Sequence, residues 1–356
     1  MVAADFIFLP PVFGDEDYSG WQFPSGIPCS GLPMTQVDPS RHRVLLTGSS
    51  GTLGYHVLTQ LQKLPRTRVL AIHRRRNGAR PAEPGVTHEI INFSHKKQLA
   101  TLFHQFKPTC VIHCAADGMI FPHVKWFKLV RFNVDFTLYL AELAASQPHC
   151  HFIHVSTGLA NRSTGAPLVE TEAQDNLHPY GASKASADML LRSASVEFGV
   201  PLTVFRPFSF TGVMDKKTRL FPSLLRAASE KQPLSLSLGN QIRDFCSARD
   251  IARASLLALT HPPPVESPSV YNLGSGQAVP LSGLIGQIVD ELEIPVELKF
   301  GERSFGPFEP MHLVANIARV GKELKWRPEH RLAHAVWQLA RSSFPNLKLK
   351  KPREYL

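Results

Sequence analysis

From Arg43 onward the chain alternates short, near-continuous apolar runs with longer stretches whose apolar positions recur every three or four residues. The runs are "RVLLTG", "RVLAIH", "HEIINF", "CVIHCAA", "HFIHVST" and "PLTVFRP"; the helical stretches are 52–63, 95–106, 124–146 and 178–198. Strands that are apolar on both faces, separated by amphipathic helices, predict a parallel sheet covered by helices on each side. The expected fold class is α/β, with a doubly wound parallel sheet.

After about residue 208 the rhythm loosens. Helices are predicted in "RLFPSLLRAASEK" and at 248–260, followed by the break "HPPPVESP", the strand "SVYNLG", the helix "LSGLIGQIVDEL", the strand "PVELKF" and closing helices. This half reads as a smaller mixed α/β cap over the first domain. The expected division is an extension at 1–40, a nucleotide-binding domain at 41–208 to which 239–265 returns, a cap at 209–238 and 266–345, and a solvated basic tail at 346–356. The extension is rich in Pro, Gly and Ser and lacks either periodicity.

A net charge of +10 favours anionic partners. No nucleic-acid motif and no basic groove interleaved with aromatics accompanies it, so a small phosphorylated ligand is expected and nucleic acid is not. The five cysteines (Cys29, Cys110, Cys114, Cys150, Cys246) show neither CxxC nor zinc spacing, which points to reduced thiols and no metal. No run approaches the roughly 18 apolar residues of a membrane span, and the start lacks the basic segment of a signal peptide. A cytoplasmic location, away from any membrane, is the expectation.

Chemistry concentrates in three places. "LLTGSSGTLGYHVL" ends a strand and opens a helix, with Gly48, Gly51 and Gly54 spaced for a tight turn and close approach of a pyrophosphate, and Ser50, Thr52 and Leu53 between them. The helix start offers free N–H groups to the phosphates. In "VLAIHRRRNG" the second strand ends without the carboxylate that usually binds an NAD ribose, and Arg74 and Arg75 stand where a 2′-phosphate would lie. The arginine fork suits phosphate, so NADP (as NADPH) is the expected cofactor. In "HPYGASKASADML", Tyr180 and Lys184 share one helix face, and a nearby ammonium lowers a phenol from its ordinary value of about 10.

In order, "TGSSGTLG" is similar to TGxxGxxG, "VIHCAAD" to an HxAA stretch, "FNVDFTLYLAELA" to NVxGTxxLLEAA, and "YGASK" to YxxxK. "RPFSFTG" follows the sixth strand, "IRDFCSARDIARA" is similar to RDFxxVxDVAxA, "VYNLGSG" to xYNxGSG, and "VGKELKWRP" to ELGWxP. From Arg43 to about Gln338 the chain resembles the extended short-chain dehydrogenase/reductase family, in its nucleotide-sugar epimerase/dehydratase/reductase branch. The resemblance implies a Rossmann domain in which Lys184 holds the nicotinamide ribose, Tyr180 exchanges a proton with the substrate oxygen, and Thr157, rather than Ser156, polarises that oxygen. It further implies Asn92 and Phe93 beside the adenine, Cys114, Ala115, Ala116 and Pro207 along the cofactor, and Arg243, Thr157 and Phe208 at a nucleotide diphosphate sugar, with Arg219 assisting. Arg243 could instead form a salt bridge with Asp244 or Asp250. A homodimer through helices 95–106 and 124–146 is a family expectation. Several histidines (His113, His123, His154, His178) border the cleft, His178 beside the start of the catalytic helix.

The chain also departs from the pattern. Gly158 and Leu159 replace the acidic pair that follows the threonine in the branch's dehydratases, "ANR" replaces the usual "VYG", and Asn92 replaces an acid. The leading expectation is an NADPH-dependent reductase of a keto group on a nucleotide-linked (deoxy)sugar, with Tyr180 as general acid. The alternative is a nucleotide-sugar epimerase that retains its NAD(P). A non-enzymatic sensor of NADP is disfavoured by the intact Thr157, Tyr180 and Lys184.

Overall fold

A computed structural model describes residues 42–74, 84–93, 95–118, 125–175 and 177–356; Arg75, His123 and the expected extension at 1–40 lie outside them. The strands are β1 Arg43–Thr47, β2 Arg68–His73, β3 Val86–Ile90, β4 Cys110–His113, β5 His151–Val155, β6 Leu202–Pro207, β7 Ser209–Thr211, β8 Leu234–Leu236, β9 Ile242–Arg243, β10 Phe245–Ser247, β11 Ser269–Leu273, β12 Val279–Pro280, β13 Leu298–Phe300 and β14 His312–Leu313. The α-helices are α1 Thr52–Leu61, α2 Lys96–Phe106, α3 Trp126–Leu129, α4 Phe136–Ala145, α5 Pro179–Phe198, α6 Leu220–Glu230, α7 Ala248–Leu259, α8 Leu281–Leu292, α9 Ala318–Glu323 and α10 Leu332–Ser343.

Successive side chains of a strand point to opposite faces, and here both faces are apolar. Val44, Leu46, Ile112 and Ile153 pack on α1 and α7 through Val57, Leu61, Ile251 and Ala258. Leu45, Val111, Phe152 and Leu202 pack on α2, α4 and α5 through Phe103, Leu140 and Leu191. The result is one parallel seven-stranded sheet in the order β11-β6-β5-β4-β1-β2-β3, the expected doubly wound Rossmann-type α/β fold.

Four features differ from the sequence expectation. Edge strand β3 begins at Val86, before the apolar run that suggested it. The stretch 124–146 is interrupted by a π-helical segment, Val130–Asp135, a conformation that recurs at functional sites. Strand β11, expected in the cap, pairs with β6 because Val270, Tyr271 and Leu273 are buried on both of its faces, whereas β9 joins a small sheet with β12 and β14. The basic tail is not simply solvated: Leu347 and Leu349 pack on the cap core shared by α6, α8 and α10, and Glu354 pairs with Arg249 at 2.6 Å. Among the described residues no helix is long and apolar enough to cross a membrane.

Candidate active site

The turn between β1 and α1 is built by close approach. Gly48 has φ +77°, and a methyl group there would lie 2.6 Å from the Ala115 nitrogen at the end of β4. One on Gly54 would lie 2.1 Å from the Gly48 carbonyl oxygen. Side chains are thus excluded where two strand ends and a helix start converge, the cradle a pyrophosphate needs. Ser50 and Gly51 are exposed at its rim, while Thr52 and Leu53 are buried, Thr52 donating to the Met214 carbonyl at 3.2 Å. Beside it Cys114 is half-buried, its thiol pushed up to about 12 by burial, Ala115 is buried and Ala116 exposed.

At the end of β2, buried His73 presents Nδ1 3.5 Å from Ser49 Oγ and Nε2 2.7 Å from His88 Nδ1. Exposed Arg74 pairs with Asp117 at 3.2 Å and lies 5.4 Å above the Phe132 ring. Lys128 reaches the same carboxylate oxygen at 2.6 Å. Burial works against the Asp117 charge, but Lys128 and Arg74 outweigh it and hold the carboxyl below its ordinary range. Phe93 packs on Phe136 and Phe132 at ring distances of 4.3 and 5.2 Å, and Asn92 is exposed beside it. Arg74, Phe132 and Phe93 therefore share one rim of the cleft.

Thr157 follows β5 and caps a 3₁₀ turn at Gly158–Ala160, its Oγ1 accepting the Leu159 N–H at 3.2 Å. That leaves its own hydroxyl proton to donate. Ser156 instead donates to Asp188 at 2.8 Å. Helix α5 starts with Pro179, the favoured first position, and His178 Nδ1 caps it by accepting the Gly181 N–H at 3.4 Å. Tyr180 and Lys184 follow, one turn apart.

The expected lowering of the Tyr180 phenol is not found. Burial pushes it up to about 12; the Arg219 charge opposes this and Asp188 adds to it. The Lys184 Nζ lies 3.1 Å from Nε2 of His154 on β5. Burial lowers Lys184 to about 8, against the charges of Asp188 and Cys114.

On the substrate side, Arg219 pairs with Asp215 at 3.1 Å and lies 5.0 Å over the Phe210 ring, and its charge reaches Tyr180. Buried Arg243 is ion-paired with Glu309, not with Asp244 or Asp250. Asp244 accepts the Ala315 and Gly276 N–H groups, both at 3.0 Å, and Asp250 holds His330 at 2.7 Å. Phe208, expected at the substrate, is buried: its ring lies so close under Gly158 that a methyl group there would be 2.7 Å away. It props the loop carrying Thr157. Pro207 ends β6 in the core.

Three residues escaped the sequence reading. Asn133, inside the π segment, accepts from the Asp117 N–H and donates to the Asp117 carbonyl and to Ser183 Oγ, each at 2.9 Å, tying the loop after β4 to α5. Asp117 is the second. The third, Asp188, is fully buried and accepts from Ser156, from Gln174 at 3.1 Å and from Arg206 at 3.2 Å. Its spacing of four from Lys184 was visible in the motif.

The parallel sheet with a glycine turn at its first strand end defines a Rossmann-type enzyme. Residues 44–274 match the model of the NAD dependent epimerase/dehydratase family, and the chain belongs to that family. It is 24% identical over 344 residues to the dTDP-glucose 4,6-dehydratase of Salmonella typhimurium, covering 85% of this chain and 94% of that protein. It is 28% identical over 270 residues to the UDP-glucuronate 4-epimerase of Thermodesulfobacterium geofontis, covering 74% and 80%. Among solved structures, the UDP-glucose 4-epimerase of Thermotoga maritima superposes with a TM-score of 0.76 at 21% identity, covering 85% of this chain and 99% of that one. The UDP-N-acetylglucosamine 4-epimerase of Methanobrevibacter ruminantium gives 0.77 at 21%, covering 86% and 99%.

Proposed function

We propose that the protein is a nucleotide-sugar epimerase working through a retained NAD(P). The observation that carries this reading is the junction at which Thr157, Tyr180 and Lys184 come from one strand end and one helix, opposite the glycine turn and with no carboxylate at Gly158 or Leu159. Without an acid there, elimination of water lacks its proton donor, which disfavours the dehydratase activity of the first-named relative. The similarity to several 4-epimerases supports the same choice.

A bound dinucleotide in its oxidised form would accept a hydride from the sugar carbon and then return it. Gly48, Gly51 and Gly54, with Ser50, Thr52 and Leu53, bind its pyrophosphate, and Asn92, Phe93, Cys114, Ala115, Ala116 and Pro207 line its path. Lys184 donates to a ribose hydroxyl. Tyr180 takes and returns the proton of a sugar hydroxyl, while Thr157 donates a hydrogen bond to that oxygen. With its phenol pushed up to about 12, Tyr180 takes that proton only as the phenolate, a form that the Arg219 charge favours against burial. Arg243 binds the substrate diphosphate once Glu309 yields it.

A second reading, reduction of a ketosugar with exchangeable NADPH, is favoured by one observation. His73 and Arg74, not an acid, end β2, and this also makes NADP the proposed dinucleotide. Heat denaturation of the purified protein tests the two. Released dinucleotide supports the epimerase; none released, with free exchange of added NADP, supports the reductase.

We also propose a cytoplasmic homodimer. Its expected surface changes: the outer face of α2 is polar, whereas Trp126, Phe127 and Val130 beside α5, and Met189, Leu190 and Val196 on α5, are exposed.

A further inference from the structure

His154 is fully buried, and its Nε2 lies 3.1 Å from the Lys184 Nζ. An ammonium only donates, so the imidazole offers a lone pair at Nε2 and carries its proton on Nδ1. Burial, followed by the charges of Lys184 and His113, holds His154 well below its ordinary range, in keeping with a neutral acceptor. Among the described residues Nδ1 has no hydrogen-bond partner. A buried donor without a partner costs stability, and a phenylalanine or leucine would fill this strand position without that cost.

The neighbours have duties of their own. His113 on β4, stacked on His154 at 5.4 Å, bridges Thr47 at 2.7 Å and Thr137 at 3.0 Å. Asp188 on α5, 3.6 Å from His154 Nε2, holds Ser156 and Arg206, the latter from β6. The Cys114 thiol is a further ionisable group whose charge acts on Lys184. Among the described residues, the one side-chain hydrogen bond of His154 goes to Lys184.

We propose that His154 is a positioning residue for Lys184: by accepting one ammonium N–H it fixes Nζ in the cleft and keeps the lysine charged. The remaining donors are then free for the ribose and the phenol. This rests on the role given to Lys184 under the proposed function.

The test follows Lys184 itself rather than turnover. Protein labelled with ¹³C at lysine Cε is titrated by NMR from about pH 6 to 11, the Lys184 signal being assigned with Lys184→Arg. In His154→Phe the Lys184 midpoint falls by about one pH unit or more, because the ammonium has lost its acceptor. In His154→Gln, whose amide oxygen can accept in the same place, it stays near the wild-type value. His154→Leu replaces the phenylalanine variant if that one does not fold.

An unchanged midpoint in the apolar variants overturns the proposal. So does an equal fall in His154→Gln, which would report packing alone. NADP and NAD binding, measured on the same samples, is a separate reading. Its absence in the wild type overturns the dinucleotide role and leaves the lysine titration interpretable.

Discussion

Gly181 and Leu159 meet so closely that a methyl group on residue 181 would lie 2.1 Å from the Leu159 carbonyl oxygen. This contact seats the first turn of α5 against the turn capped by Thr157, so it sets the separation of Tyr180 from Thr157. Backbone cannot yield as a flexible side chain can. Gly181→Ala must therefore push α5 outward, and a shift of about 1 Å can cost up to about 100-fold in rate. A loss of about tenfold to 100-fold in kcat is expected, with overpacking lowering stability by about 1–3 kcal/mol in a urea melt. Unchanged kcat would show that the contact does not govern the site.

Arg74 is held over Phe132 by Asp117, facing the rim where Phe93 sits. Under the NADP reading, Arg74→Ala weakens NADP binding by about tenfold or more and leaves NAD nearly untouched, since removing one phosphate partner costs about 1.5–3 kcal/mol. Calorimetry with both dinucleotides reads the difference. A wild type that prefers NAD would remove the ground for NADP and for the reductase together.

Phe127 is 85% exposed, beside Trp126, Val130 and the apolar outer face of α5. A contiguous exposed apolar patch of this kind is the mark of an interaction site. Phe127→Asp is expected to convert a dimer to a monomer in sedimentation, with α/β secondary structure intact by circular dichroism. Sedimentation of the wild type as a monomer would sink the proposed dimer.

How much of this was legible depends on the range of the interaction. Strands β1, β2, β4, β5 and β6 announce themselves because burial on both faces writes a local apolar run, and α8 spans the residues its pattern marks. Edge strand β3 alternates with exposed positions, so its start was blurred. The glycine turn and the Tyr180–Lys184 spacing are local and were readable. The partner of Arg243 was not, because Glu309 lies 66 residues away in a loop without periodicity. Nor was the direction of the Tyr180 shift, since burial and the approach of Arg219 exist only in the folded chain. The bond between His154 and Lys184 spans 30 residues and needs the docking of α5 under β5 to be seen.

Asp188 is the counter-charge for buried Arg206, whose Nε lies 3.2 Å from it and whose Nη1 donates to the Glu170 carbonyl at 3.0 Å. Removing one partner of a buried pair strands the other, typically at about 3–5 kcal/mol. Asp188→Ala should lose about that much in a denaturant melt. Asp188→Asn should lose less, because an amide oxygen still accepts from Ser156 and Arg206. Equal losses would argue that shape, not charge, matters at this position.

Lys184 carries its ammonium where no water reaches, and burial lowers it from 10.5 to about 8. The sign of its effect on stability follows from proton counting. Between these two values the unfolded chain keeps a proton that the folded chain has released. Stability from this group therefore rises with pH across that window and is at its minimum below it. The shift corresponds to about 3 kcal/mol of destabilisation near pH 7. Tyr180 acts in the opposite sense, but only above about 10, where the folded phenol, pushed up to about 12, still holds its proton. Lys184→Met should thus be inactive yet melt higher than the wild type near pH 7, with the gap closing as the pH approaches 10. A gap that stays constant across thermal melts in this range, or a variant less stable at pH 7, would mean that the pairing with His154 and Asp188 outweighs the burial of the charge.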